Sequence, residues 1–76
     1  MARASEQECE ELVRKLRLRI DLIYEDDDDG WTIAIVYGGS VELKDRMSFC
    51  DSLPPCWFTR WMDSEQRGIR CLISKK

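Results

Sequence analysis

The chain has 76 residues, with 12 Lys and Arg against 15 Asp and Glu, no His, 43% hydrophobic content and a formal charge of -3. A chain of this length buries only about 60% of the surface its unfolded form exposes, so one core and a single domain over residues 1–76 are expected, with no room for a deep substrate cleft. Apolar content is too high and charge too mixed for disorder throughout.

The longest uninterrupted apolar run, Ile33 to Tyr37, is far below the roughly 20 residues needed to cross a bilayer. The opening MARASEQECEE carries no apolar signal stretch. A cytoplasmic or nuclear address and no membrane partner are therefore expected. Charge is unevenly divided, -5 over residues 1–38 and +2 over residues 39–76. The acidic excess lies in Glu6, Glu8, Glu10, Glu11 and the run Glu25 to Asp29. An acidic balance disfavours nucleic acid as a partner without excluding a local basic patch.

The first element reads as a helix. Ser5 and Glu8 form an S-x-x-E capping box, Glu6 and Glu8 suit the positive helix start, and Arg14 and Lys15 suit its end. Cys9, Leu12, Val13 and Leu16 recur at helical spacing, which gives one apolar stripe and a helix ending near residue 15.

Beyond it the period changes. Leu16, Leu18, Ile20, Leu22 and Tyr24 alternate with polar residues, which predicts a first strand with Arg17 and Arg19 on its polar face. A loop from Glu25 to Gly30 leads to a second strand, Trp31 to Tyr37. Pairing Tyr24 with Trp31 sets Leu22 opposite Ile33 and Ile20 opposite Ile35, so that the larger apolar residues share a face.

After Gly38-Gly39-Ser40 a third alternating run contains Val41, Leu43, Met47 and Phe49, interrupted at Asp45. A three-residue loop pairs Tyr37 with Val41, Ile35 with Leu43 and Trp31 with Met47. Cys56 to Met62 and Ile69 to Ser74 flank a turn-like stretch, Asp63 to Gly68, and predict a second hairpin. The whole reads as an α+β fold in the order α-β-β-β-β-β, an N-terminal amphipathic helix packed on an antiparallel sheet of about four to five strands.

Cys56-Trp57-Phe58-Thr59-Arg60-Trp61-Met62 is the most informative stretch. Extended, it is apolar on both faces, with Trp57 and Trp61 on one and Phe58 and Met62 on the other. One face joins the core; the second needs cover from the helix, from the Leu53-Pro54-Pro55 loop or from another molecule.

Zinc is disfavoured. Cys9, Cys50, Cys56 and Cys71 show no close ligand pair, and there is no His. Free thiols are expected, with Cys9 and Cys71 as small buried hydrophobes. Glu25, Asp27, Asp29 and Gly30 resemble the start of a calcium loop, but the twelfth position is Val36 instead of a carboxylate. A solvated hairpin tip is the simpler reading. No Ser/His/Asp set, phosphate loop or activated cysteine appears, so neither catalysis nor a cofactor is expected.

The leading functional expectation is a non-catalytic interaction or regulatory module that binds a protein partner, or itself, through Trp57, Phe58, Arg60 and Trp61. The alternative is single-stranded RNA or DNA held by Arg14, Arg17 and Arg19 with aromatic stacking. A third reading, a designed or library-derived chain without evolved function, is weakened by four free cysteines and exposed aromatics.

Overall fold

A computed structural model describes residues 3–64, 66 and 68–76. Its elements run α1 (Glu6–Leu16), β1 (Leu22–Asp26), β2 (Gly30–Tyr37), α2 (Leu43–Asp51), β3 (Trp57–Ser64) and β4 (Gly68–Lys75). The four strands form one antiparallel sheet in the order β1-β2-β4-β3. The α+β class, the leading helix and the antiparallel sheet agree with the sequence; the strand count is four and the order is α-β-β-α-β-β. No helix among the described residues is long and apolar enough to cross a membrane.

The first helix forms as its caps dictate. The Glu8 amide donates to Ser5 Oγ at 3.2 Å, and the Ser5 amide donates to Glu8 Oε1 at 3.2 Å. These bonds satisfy two backbone donors that a helix start leaves without partners. At the other end Arg17 takes a left-handed conformation, φ 54°, which stops the helix at Leu16. Cys9 and Leu12 are buried, and Val13 and Leu16 pack beside them, so the stripe read from the spacing is the one that meets the sheet.

That left-handed cap is also why the predicted first strand starts late. Residues 17–21 are not extended in a ladder, so Arg17 and Arg19 do not share a strand face. Leu18 and Ile20 still pack against the core, from a connecting segment. Strand β1 begins at Leu22, and its pairing differs by one residue from the expectation: Glu25 lies opposite Trp31 and Ile23 opposite Ile33.

The turn decides this register. Asp26 Oδ1 accepts from the amides of Asp28 and Asp29 at 2.8 and 3.2 Å, and Gly30 has φ +75°. A three-residue loop, Asp27 to Asp29, capped by Asp26 and followed by a left-handed glycine joins the antiparallel strands, and it lengthens β1 by two residues into the acidic run. Because side chains alternate with period two, the slip turns Ile23 toward the core and Leu22 away from it.

The larger correction concerns Val41 to Phe49, which contributes helix α2 in place of a third strand. Leu43, Met47 and Cys50 fall at i, i+4 and i+7, so the run satisfies a helical stripe as well as an alternating one. Leu43, Lys44, Arg46 and Met47 are also good helix formers, whereas residues 43–47 include no β-branched or aromatic side chain.

The place beside β2 goes to β4 instead. Ile33 pairs with Ile73, Ile35 with Cys71 and Tyr37 with Ile69. Strand β4 is buried on both faces along its middle, with Ile69, Cys71 and Ile73 on one and Leu72 and Ser74 on the other. Such a strand is stabilised most at the centre of a sheet. The 41–49 run, with Lys44 and Arg46 on its second face, has no comparable claim.

Both helices lie on one side of the sheet. Cys9 and Leu12 of α1 meet Ile33, Ile35, Cys71 and Ile73, while Phe49 of α2 and Leu53 after it pack around the margin. The predicted second hairpin is present, with Trp57 opposite Lys75, Trp61 opposite Cys71 and Ser64 opposite Gly68. Part of its turn lies outside the described residues.

Gly68 has φ +79°, and a methyl group there would sit 2.6 Å from the Tyr37 carbonyl oxygen; at Gly38 nothing stands within 4 Å and φ is not positive. Gly68→Ala is expected to cost about 2 kcal/mol in chemical denaturation, from strain and backbone overlap together. Gly38→Ala is expected to change stability by less than about 1 kcal/mol. Equal effects at the two positions would contradict this account.

Candidate functional site

The stretch singled out by its aromatics is extended, as strand β3, and its side chains divide between the two faces of the sheet as the alternation requires. Trp57, Thr59 and Trp61 share the helix side with Ile73 and Cys71, whereas Phe58, Arg60 and Met62 point to the side that no helix covers. The four residues expected to bind a partner therefore form two half-sites along one strand.

Trp61 is held from several directions. Its ring stacks on Tyr37 with centroids 5.8 Å apart and meets Phe49 edge-on at 6.3 Å. The Arg46 guanidinium lies 5.1 Å from the ring centroid, and the indole Nε1 donates to Thr59 Oγ1 at 3.1 Å. The ring is only half-buried. Beside it Leu43, Arg46, Met47, Cys50, Thr59 and Trp61 line a hollow of about 300 Å³ between α2 and β3. Leu43 and Met47 are 72% and 60% exposed there, an unusual state for the apolar residues of a helix.

Four residues earlier on the same face, Trp57 borders a second hollow of about 240 Å³ with Glu8, Glu11, Leu12, Lys15 and Pro54. Lys75 anchors this end, its Nζ bonded to Glu8 Oε2 at 2.6 Å and 5.9 Å from the Trp57 ring centroid. The Lys75 ammonium, followed by the Ser5 amide, holds the Glu8 carboxyl below the ordinary carboxylate value. The hydrogen bond to Glu8 raises Lys75 in turn.

The uncovered face is partly closed by the protein's own side chains. Arg60 starts on β3 and reaches across β4 and β2 to the β1–β2 turn, where its guanidinium nitrogens stand 3.2 Å from Asp29 Oδ2 and 3.9 Å from Asp26 Oδ2. On this same face the small residues Thr32, Ala34 and Ser74 are buried although no helix among the described residues lies over them. Phe58 is met by Lys76 Nζ at 5.3 Å from its centroid. Met62, at 46% exposure, and Val36 remain open near Arg70, whose Nε is shielded from solvent without a hydrogen-bond partner among the described residues.

The cations proposed for nucleic acid are elsewhere. Arg14 is exposed on α1, Arg17 is its left-handed cap and Arg19 lies in the following connection, a segment whose Leu16, Leu18 and Ile20 pack into the helix-side core. The structure thus separates these three from Phe58 and the open face.

All four cysteines are free thiols; Cys9 and Cys71 are buried, and Cys50 and Cys56 are exposed. Burial pushes the Cys9 thiol up to about 11 and that of Cys71 up to about 12, so both stay protonated at neutral pH and serve as packing. Among the described residues no group of three or more Cys, Asp or Glu side chains is arranged to hold a metal ion.

Sequence reasoning missed the backbone of β3 as a candidate functional element. The Lys76 amide donates to the Cys56 carbonyl at 3.0 Å, which makes that pair a hydrogen-bonded one. The alternation of antiparallel ladders then aims the N–H and C=O groups of Thr59, Trp61 and Asp63 away from β4, toward the free edge. Trp57 differs, since its outward N–H donates to Pro54 at 3.3 Å.

The two edges of the sheet are unlike. Strand β1 is short and ends in Glu25 and Asp26, beside the acidic turn. Strand β3 pairs without a bulge from Trp57 to Ser64, has no proline and carries aromatics on both faces. Charge and shortness guard the first edge; little guards the second. Comparison with known proteins returns no matching family model, no matching curated protein and no matching solved structure.

Asp26 joins the site to pH. The amides of Asp28 and then Asp29, donating to its carboxylate, hold it below its ordinary value of 3.8. A carboxyl lowered by folding contributes stability that is present above its unfolded value and lost as pH falls through the folded one. Urea midpoints are therefore expected to drop between pH 5 and pH 2. Asp26→Asn, which keeps the turn acceptor but cannot ionise, is expected to flatten that drop; an unchanged pH profile would assign the acid sensitivity to other groups.

Proposed function

We propose that the chain is a non-catalytic protein-interaction module whose docking site is the free edge of β3. An incoming extended segment would lie with Trp57 and Trp61 on its helix side and with Phe58, Arg60 and Met62 on its open side. The observation that carries this reading is the contrast between the guarded β1 edge and the long, unbulged β3 edge with apolar surface above and below it.

The chemistry is that of strand addition. Outward amides of Thr59, Trp61 and Asp63 donate to the segment's carbonyls, and their own carbonyls accept from its amides, which supplies affinity that does not depend on sequence. Alternate side chains of the segment then address the hollows at Trp57 and Trp61, and this is where selectivity would arise. Arg60, whose guanidinium is drawn across the sheet to Asp29 and Asp26, leaves its charge away from the edge, so the open side of β3 meets the segment chiefly with Phe58 and Met62. Burial of the half-exposed indoles contributes as aromatic anchors do in other interfaces.

The nucleic-acid alternative has weaker support. It needs cations beside a stacking platform, yet Arg14, Arg17 and Arg19 belong to the helix layer and Phe58 to the opposite face. The Trp61 ring is already engaged by Tyr37, Phe49 and Arg46. Salt distinguishes the two, because phosphate contacts weaken steeply with ionic strength and strand addition does not.

Peptides selected by display on the folded domain are the direct test. Binding to the wild type is expected to change little between low and physiological salt, and to fall at least about tenfold in Thr59→Pro, which removes an outward N–H without removing a bond to β4. Circular dichroism would establish that this variant remains folded. Selected peptides that bind Thr59→Pro as well as they bind the wild type would place the site away from β3. Oligonucleotide binding that is steep in salt and lost on substituting Arg14, Arg17 and Arg19 would replace the reading altogether.

A further inference from the structure

We infer that the segment β3 accepts is the β3 strand of a second copy, so that two chains join edge to edge into one continuous eight-stranded antiparallel sheet about a twofold axis. This rests on the docking site proposed above and names its occupant.

Symmetry leaves few ways to do it. Paired residues of two antiparallel strands must point to the same face, and the outward-bonding residues of one must meet those of the other. An axis through any residue of β3 satisfies both conditions, and 60 and 61 give the longest overlaps, with 59 and 62 pairing five residues each and the other positions fewer. With the axis at 60, Arg60 would lie opposite the partner's Arg60, like charges directly across, and the pairing would require an outward Trp57 N–H that is already given to Pro54. With the axis at 59 the overlap shrinks to residues 57–61 and uses Trp57 again. With the axis at 61, residues 58–64 pair, a strip roughly 24 Å long at the usual rise.

That register is complementary throughout the side chains it brings together. Thr59 faces the partner's Asp63, Arg60 faces the partner's Met62, and Trp61 faces the partner's Trp61; no like charges stand directly opposite. On the helix side the partner's Trp61 comes against the open hollow where Leu43 and Met47 are exposed. On the other face Met62, also exposed, lies opposite position 60 of the partner. The acidic turn at Asp26 to Asp29 belongs to the β1–β2 hairpin, whose outer strand is the far edge of the sheet, so the net charge of -3 on each copy opposes contact only weakly.

The size of the contact sets its strength. A strip of that length and two layers, roughly 20 Å, deep gives on the order of 500 Å² per copy, short of the roughly 800 Å² per partner of a standard interface. Dimerisation is therefore concentration-dependent. Sequence alone pointed to a protein partner or a second copy bound through Trp57, Phe58, Arg60 and Trp61; this register puts Trp61 at the centre and Trp57 at the periphery.

Sedimentation equilibrium of the full chain under reducing conditions, from about 1 µM to about 1 mM, is the test. The reductant excludes cross-linking through exposed Cys50 and Cys56. The expected result is a mass that rises from one chain toward two. It is accompanied by slower amide hydrogen exchange at Thr59, Trp61 and Asp63 at the high concentration, with no such change at Trp57. Thr59→Pro is expected to stay monomeric, and Met47→Glu, on the exposed face of α2, to weaken association at least about tenfold. A wild type that remains monomeric at about 1 mM overturns the self-pairing. If Thr59→Pro-sensitive peptides still bind that monomer, the edge reading survives with a different occupant, and if they do not, both fail. A dimer indifferent to both substitutions also overturns it, since another surface would then be responsible.

Discussion

The antiparallel pairing of β2 with β4 is the contact on which the rest of the molecule depends. Ile33, Ile35, Cys71 and Ile73 form a single apolar patch under α1, and Ala34 and Leu72 make the reverse side of the same two strands dry as well. Two strands buried on both faces hold the interior of the sheet. Once they hold it, β1 and β3 can only be edges. The chemistry of the molecule then follows from which residues those edges carry.

Different devices close the two sides of the sheet. The helix side is covered by α1 and, less completely, by α2, which has no buried residue of its own and touches the core chiefly through Phe49. The open side has no helix among the described residues, and there Arg60 reaches carboxylates of the opposite hairpin. A partly exposed ion pair of this kind adds little stability by itself. Coverage is thinnest along β3, where α2 leaves a hollow and the strap begins.

Much of the candidate site was legible in the residues. Trp57 and Phe58 alternate with period two, and any extended conformation sends them to opposite faces, so the two-sided character of the strand was visible without coordinates. What could not be read was that this strand ends the sheet, because edge status belongs to the topology and leaves no mark on a single strand. The same limit hid the outward amides of Thr59, Trp61 and Asp63. The hollow at Trp61 was hidden as well, because Leu43 and Met47 fit a strand and a helix equally well as apolar positions.

Short-range chemistry determined the N-terminal helix, its capping box, the stripe of Cys9, Leu12, Val13 and Leu16, and the hairpin that joins β3 to β4. Each depends on residues within a few positions of one another, and local bonding energies are already present in the isolated segment. Tertiary structure decided the rest: that 41–49 coils instead of pairing, that Ile23 and not Leu22 faces inward, and that β4 lies between β2 and β3. Those outcomes are competitions for one position beside β2 between segments far apart in the chain. The winner is the segment that removes most apolar surface from water on both faces, a comparison that no single stretch of residues contains.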